Sequence, residues 1–199
     1  MEILKHQVIQ NMHKNGLIGI VRDNNEADAM TRTRAIMDGG VTILEISMST
    51  PGALHIIETI SQEIKEKGLD VYVGAGTVLD PETARATILA GASFILAPNF
   101  NLEVAKMCNR YCICYMPGVQ TFTEIVAAMD AGCDIVKVFP ASAVGIGFIK
   151  AVMGPLPQAR CIPVGGVNID NIEAWFNDNA YAVSLGSGLT HPTKGTCDY

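Results

Sequence analysis

The chain has 199 residues, 49% hydrophobic and 17% charged, which is enough apolar material for a large core and too much for disorder. A net charge of −6, with no basic stripe, argues against a nucleic-acid surface. Apolar runs are strand-length, so no segment is expected to span a membrane, and the amphiphilic start lacks a signal-peptide core.

In chain order, residues 2–15 read as an amphipathic helix with Ile3, Val8, Ile9 and Met12 on one side and Gly16 past its end. Leu17–Val21 is a short apolar run ending in Arg22, and Asn25 opens a second helix that stops at Gly39-Gly40. A strand over 41–47 and a helix over 51–67 follow, then strand 71–75, helix 81–90, strand 94–97 and helix 102–110. Strand 112–116, helix 122–131, strand 134–140, helix 147–153, strand 161–164, helix 172–177 and strand 182–185 complete the pattern.

Eight strand-like runs, each but the last followed by a helix-like one, predict a parallel sheet buried on both faces. The spacing suits a (β/α)₈ TIM barrel, one domain over residues 1–199, with an extra N-terminal helix. An open doubly wound sheet would carry a glycine turn after its first strand, where this chain has Arg22-Asp23-Asn24. After Leu189 only Thr190–Tyr199 remain, too few and too polar for a full eighth helix. Either that helix is truncated or missing, or the first helix and a partner subunit cover its place.

The six cysteines show no C-x-x-C spacing, and the four histidines are scattered, so no metal is expected. Buried reduced thiols in a cytoplasmic protein are the expectation.

Barrel chemistry gathers at the C-terminal ends of the strands. Lys137 is centred in Asp134-Ile135-Val136-Lys137-Val138-Phe139-Pro140, where alternation sets it with Ile135 and Phe139 on one face. If that face is dry, the charged form is disfavoured and a neutral amine is available to form a Schiff base; otherwise its stem packs and its head reaches water. Glu45 is centred likewise in Ile43-Leu44-Glu45-Ile46-Ser47, four strands away in a ring of eight. The two are a nucleophile and a proton shuttle facing each other, or a buried ion pair that only neutralises itself.

Gly165-Gly166 and Gly186-Ser187-Gly188 end the last two strands, where barrels recurrently hold phosphate; a tight turn explains either one alone. Thr77, after Gly74-Ala75-Gly76, offers a hydroxyl to a carboxylate or simply ends a turn. Arg22 can pair with an anion or lie on the surface, and Phe139 is core or substrate wall. Trp175 reads as outer packing.

Leu44-Glu45-Ile46-Ser47, Gly74-Ala75-Gly76-Thr77-Val78, Pro117-Gly118, Val136-Lys137-Val138-Phe139-Pro140 and Gly165-Gly166-Val167, in this order, carry a resemblance. The chain resembles the class I 2-keto-3-deoxy-6-phosphogluconate (KDPG) / 4-hydroxy-2-oxoglutarate (KHG) aldolases, which are metal-independent, cofactor-free barrels and usually homotrimers. The resemblance implies Lys137 as Schiff-base lysine and Glu45 as general acid/base. It further implies Arg22 and Thr77 at the substrate's anionic end, Pro98 and Phe139 as pocket walls, and Gly165, Gly166, Gly186 and Ser187 as the phosphate site. The implied substrate is a phosphorylated 2-keto acid. Ser49 stands where some members carry arginine, which leaves more anion binding to Arg22 and Thr77 or a looser hold. Val164 stands where gluconate-selective members often have threonine, which implies weak discrimination or a tilt toward the galactonate-derived epimer. Rival readings are a phosphate-binding barrel isomerase, a thiamine-phosphate-synthase-like transferase, and a non-catalytic sugar-phosphate-binding barrel.

Overall fold

The computed structural model describes residues 3–186 and residue 189. Ser187, Gly188 and the stretch after Leu189, where the expectations of a phosphate-binding serine and a shortened eighth helix fall, lie outside the described residues. The chain opens with α1 (Leu4–Asn15) and β1 (Leu17–Val21), then α2 (Glu26–Asp38), β2 (Ile43–Ser47), α3 (Ala53–Lys67) and β3 (Tyr72–Gly76). Next come α4 (Pro81–Leu89), β4 (Phe94–Leu96), α5 (Leu102–Arg110), β5 (Cys114–Met116), β6 (Gly118–Val119) and α6 (Phe122–Asp130). The last third holds β7 (Val136–Val138), α7 (Ala141–Val144), α8 (Phe148–Met153), β8 (Cys161–Pro163), α9 (Ile172–Asn177) and β9 (Val183–Leu185).

Side chains in the loops start the helices. Asn25 accepts from the Asp28 N–H, Asp80 from Thr83 with Pro81 in the first turn, and Asn101 from Glu103 and Val104. Thr121 and Glu124 form a reciprocal capping box on α6. Each cap satisfies donors that a helix leaves open and so fixes where strand gives way to helix.

Strands β5-β4-β3-β2-β1-β9 form one parallel sheet and β6-β7-β8 another. One seam is a single broken strand, since β5 and β6 are separated only by Pro117, which has no N–H for the ladder while its carbonyl still accepts from Lys137. The other seam is closed by a parallel bridge between Val164 and Ser184. The result is the expected (β/α)₈ barrel with β5 and β6 as halves of its fifth strand.

Several boundaries differ from the sequence pattern by a residue or two, and three differences have a clear backbone basis. Val41 lies in the turn that closes α2, its N–H donating to the Ile36 carbonyl, and the strand starts two residues later. Cys112 sits in a turn at φ 53°, so its strand starts at Cys114 and its thiol is exposed, against the expectation of burial. Ala141–Val144 forms a short helix that the sequence pattern does not include. Cys108, Cys114, Cys133 and Cys161 are buried free thiols, and burial pushes Cys108, Cys133 and Cys161 up to about 12. Trp175 is buried in the layer between helices and strands, as outer packing requires.

The inner face of the barrel has an apolar floor. Ile18, Ile43, Phe94, Ile135, Ile162 and Ala182 share one buried cluster with Val8, Ile9 and Met12 of α1. Helix α1 is tied to residues that precede strands: Lys5 pairs with Asp134 at 2.6 Å, Asn11 donates to Asp70 and accepts from Thr42, and Tyr181 donates to the Ile9 carbonyl. So α1 stoppers the N-terminal mouth and does not stand in for an eighth helix. Val8, Ile9 and Met12 contribute roughly 1.5–3 kcal/mol apiece by burial. No helix among the described residues is long and apolar enough to cross a membrane.

Candidate active site

Above the apolar floor the same inner face turns polar and encloses a cavity of about 570 Å³, a size that suits a small metabolite. Alternation along each strand explains the change: Ile18 in the floor is followed by Ile20 and Arg22, Ile43 by Glu45, and Ile135 by Lys137 and Phe139. The cavity is lined by Arg22, Glu45, Thr77, Pro98, Lys137 and Phe139. Val164, Gly165, Gly166 and Gly186 complete the set of sequence-derived candidates gathered there.

Glu45 is 1% exposed and Lys137 is 5% exposed. They sit on β2 and β7, four steps apart in the ring, and face one cavity. Among the described residues neither makes an ion pair, so the self-neutralising reading fails. Glu45 Oε2 is buried with no hydrogen-bond partner among the described residues. An orphaned buried carboxylate oxygen is costly and marks a group kept for use. Lys137 Nζ lies 4.8 Å from the centroid of the Phe139 ring, so the amine faces an aromatic wall of the cavity.

Glu45 keeps its pose because of a glycine on the next strand. A Cβ at Gly76 would lie 2.6 Å from Glu45 Cγ and overlap Cδ and Oε1, so the carboxylate leans across β3 where β3 has no side chain. Gly74, one pleat below, is covered in the same way by the Phe94 ring. The pair read as a turn signal in the sequence lies within the strand and makes room.

At the rim, Arg22 Nε donates to Ser47 Oγ at 3.3 Å and Arg22 Nη2 to Thr77 Oγ1 at 3.3 Å. Ser47 Oγ is also 2.8 Å from Ser49 Oγ and 3.1 Å from Thr77 Oγ1. Thr77 holds φ 62°, a left-handed conformation that costs a β-branched residue on the order of 1–3 kcal/mol. That conformation places its hydroxyl in a cluster of three hydroxyls and a guanidinium that has no carboxylate partner among the described residues, an arrangement that can receive an anion.

On the opposite rim Gly165 and Gly166 have φ 84° and 87°, which only glycine adopts readily. A Cβ at Gly166 would lie 2.7 Å from Ser142 Cβ. Their carbonyls accept from Ser142 and Asn171, while among the described residues their N–H groups donate to no protein acceptor. Two consecutive free amides at a cavity wall suit an oxyanion. Ser184 and Ile20, which sequence reasoning passed over, also line the cavity; their signal was the alternation that aligns Ser184 with Ala182 and Gly186. Among the described residues no group of three or more histidine, cysteine, aspartate or glutamate side chains is arranged to hold a metal.

The family model "KDPG and KHG aldolase" matches residues 8–196. The chain belongs to this family. Among relatives of this aldolase-family chain is the 2-dehydro-3-deoxy-6-phosphogalactonate aldolase of Escherichia coli (strain K12), 34% identical over 174 residues, which are 87% of this chain and 83% of the relative. The crystal structure of KDPG aldolase from Legionella pneumophila, with pyruvate captured at low pH as a covalent carbinolamine intermediate, is 29% identical. It matches with a TM-score of 0.83 over 92% of this chain and 87% of that one. A cube-shaped, highly porous protein cage designed by fusing symmetric oligomeric domains is 32% identical, with a TM-score of 0.83 over 92% of this chain and 67% of that one.

Proposed function

We propose that this protein is a metal-independent, cofactor-free class I aldolase that cleaves KDPG or its galactonate epimer to pyruvate and glyceraldehyde 3-phosphate. Cleavage of KHG to pyruvate and glyoxylate is a further activity of the same site. The observation that carries the reading is the pair Lys137 and Glu45, both buried, facing one cavity from opposite strands, and neither in an ion pair among the described residues.

Lys137 Nζ, as the free amine, attacks the C2 ketone. Glu45, as the acid, protonates the departing hydroxyl of the carbinolamine, and water leaves to give an iminium. Glu45, now a carboxylate, takes the proton of the C4 hydroxyl; the C3–C4 bond breaks and its electron pair moves to the iminium, giving an enamine. The aldehyde departs, Glu45 returns its proton to C3, and water releases pyruvate from Lys137. The iminium is the electron sink, so the chemistry calls for no Lewis acid. Arg22 and Thr77 hold the carboxylate end. The amides of Gly165 and Gly166, with Gly186 and Ser187, take the phosphate, while Pro98, Phe139 and Val164 wall the carbon chain. The Val164 side chain has no hydrogen bond to offer the C4 hydroxyl, so discrimination between the epimers is weak or tilted toward the galactonate-derived one.

A homotrimer is the assembly we favour, supported by the match to a designed cage built from symmetric oligomeric domains. Buried free thiols suit a reducing, cytoplasmic compartment. Borohydride reduction in the presence of pyruvate tests the mechanism. The expected product is a stable adduct on the peptide carrying Lys137, lost in Lys137→Ala. Folded protein that traps no pyruvate would overturn the reading and favour a phosphate-binding barrel that uses Lys137 only as a charge.

A further inference from the structure

Between Glu45 on β2 and Lys137 on β7, one arc of the barrel wall runs through β1, β9 and β8. At the level of the cavity its inner face presents Ile20, Ser184 and Val164. Register ties them together: Ile20 pairs with Glu45, Ser184 with Ile18, and Val164 with Ser184. Among the described residues Ser184 therefore carries the one inward hydroxyl on the arc that joins Glu45 to Lys137.

That hydroxyl is poorly used by the protein. Ser184 is 2% exposed, and its single hydrogen bond runs to the Ile18 carbonyl at 3.5 Å, the outer limit of such a contact. Other buried hydroxyls are well satisfied: Thr33 donates at 2.7 Å, Thr87 at 2.9 Å and Ser93 at 2.8 Å. A buried serine with a strained bond and a face on the cavity keeps its hydrogen-bonding capacity for whatever fills that cavity.

We infer that Ser184 is a specificity residue whose hydroxyl binds the C4 oxygen of the substrate and turns its proton toward Glu45. The inference rests on the aldolase reading above. With C2 bonded to Lys137 and the C4 hydroxyl proton leaving to Glu45, the C2–C3–C4 segment is inferred to lie along this arc. C4 then passes the wall where Val164 has no donor and Ser184, its bridge partner, has one. As the C3–C4 bond breaks, the C4 oxygen becomes the aldehyde carbonyl, and Ser184 donates to it. The hydroxyl thus supplies from β9 what the valine on β8 does not.

The test compares two reactions of Ser184→Ala, with Ser184→Cys as a second variant that keeps the side-chain shape. Cleavage of the two C4-epimeric phosphorylated keto acids requires the C4 contact. Deuterium exchange at the pyruvate methyl group requires only Lys137 and Glu45. Both variants are expected to lose about tenfold in kcat/KM for cleavage, to change the ratio between epimers, and to exchange pyruvate within about twofold of the wild type. Equal loss in both reactions, or no loss in either, would overturn the inference, because the first is what a packing defect does and the second is what a bystander does. A wild type that fails to exchange pyruvate would overturn the aldolase reading itself, visible before any variant is made.

Discussion

Replacing Gly76 by alanine tests how the glutamate is held. The backbone at Gly76 is not in the left-handed region, so alanine fits it, and removing a glycine from a strand is worth about 0.5–1 kcal/mol in its own right. The conflict is with one side chain: the new methyl would lie 2.6 Å from Glu45 Cγ and closer to its carboxyl. Carbon atoms pack at about 3.5–4.0 Å, so the Glu45 carboxyl must retreat by at least about 1 Å, and the cavity above it has room for the move. Misplacing a proton-transfer group by that distance costs about a hundredfold in rate. The expected result is Tm within a few degrees of the wild type, kcat and pyruvate exchange both lower by about two orders of magnitude, and KM little changed. Gly74→Ala is the matched control, since its methyl meets the fully buried Phe94 ring, which has nowhere to go. That variant is expected to lose about 1–3 kcal/mol of stability, with exchange retained by the folded fraction. A folded Gly76→Ala protein with wild-type kcat and exchange would refute the idea that this glycine sets the pose of Glu45.

The Glu124 carboxylate is held below the usual range by the N–H of Gln120, and further by the hydroxyl and N–H of Thr121. A lowered folded value stabilises above the unfolded value of about 4.3 and loses that stabilisation as pH falls through the folded one. Glu124→Gln should therefore be less stable than the wild type by about 0.5 kcal/mol at pH 7, the gap closing toward pH 2–3 in paired thermal melts; a constant gap would count against it. Val164→Thr keeps the side-chain volume and places a second hydroxyl beside Ser184. It should shift the ratio of kcat/KM about tenfold toward KDPG over the galactonate epimer, and an unchanged ratio would show that β8 does not read C4.

Much of this was open to inspection in the chain itself, because burial on both faces of a parallel sheet forces apolar runs at regular spacing. Glu45 and Lys137 stood out for the same reason: a charge inside such a run has no solvent to turn to. The parts that were not legible depend on neighbours distant in sequence. Gly76 reads as a turn residue until the side chain of Glu45 is seen to cross it, and Ser184 reads as an ordinary strand serine until its hydrogen bond proves long. Helix α7 has no apolar period to announce it in four residues. Val41 and Cys112 were assigned to strands by their side chains, but helix ends had prior use for their backbone, since Val41 donates to Ile36 and Cys112 to Asn109.

The division of the inner face has a physical consequence for the chemistry. Ile43 and Glu45 are alternate residues of β2, as Ile135 and Lys137 are of the lysine strand, so each reactive group stands directly on the apolar floor that α1 helps to close. A close-packed floor of isoleucine, phenylalanine and methionine does not rearrange to solvate a charge. The orphaned Glu45 oxygen and the strained Thr77 backbone are thus carried by packing elsewhere in the barrel. Under the mechanism proposed above, a substrate that presents a ketone to Lys137, a proton to Glu45 and an anion to Arg22 relieves those uncompensated groups together, so a keto acid is expected to bind more tightly than a neutral sugar of the same size.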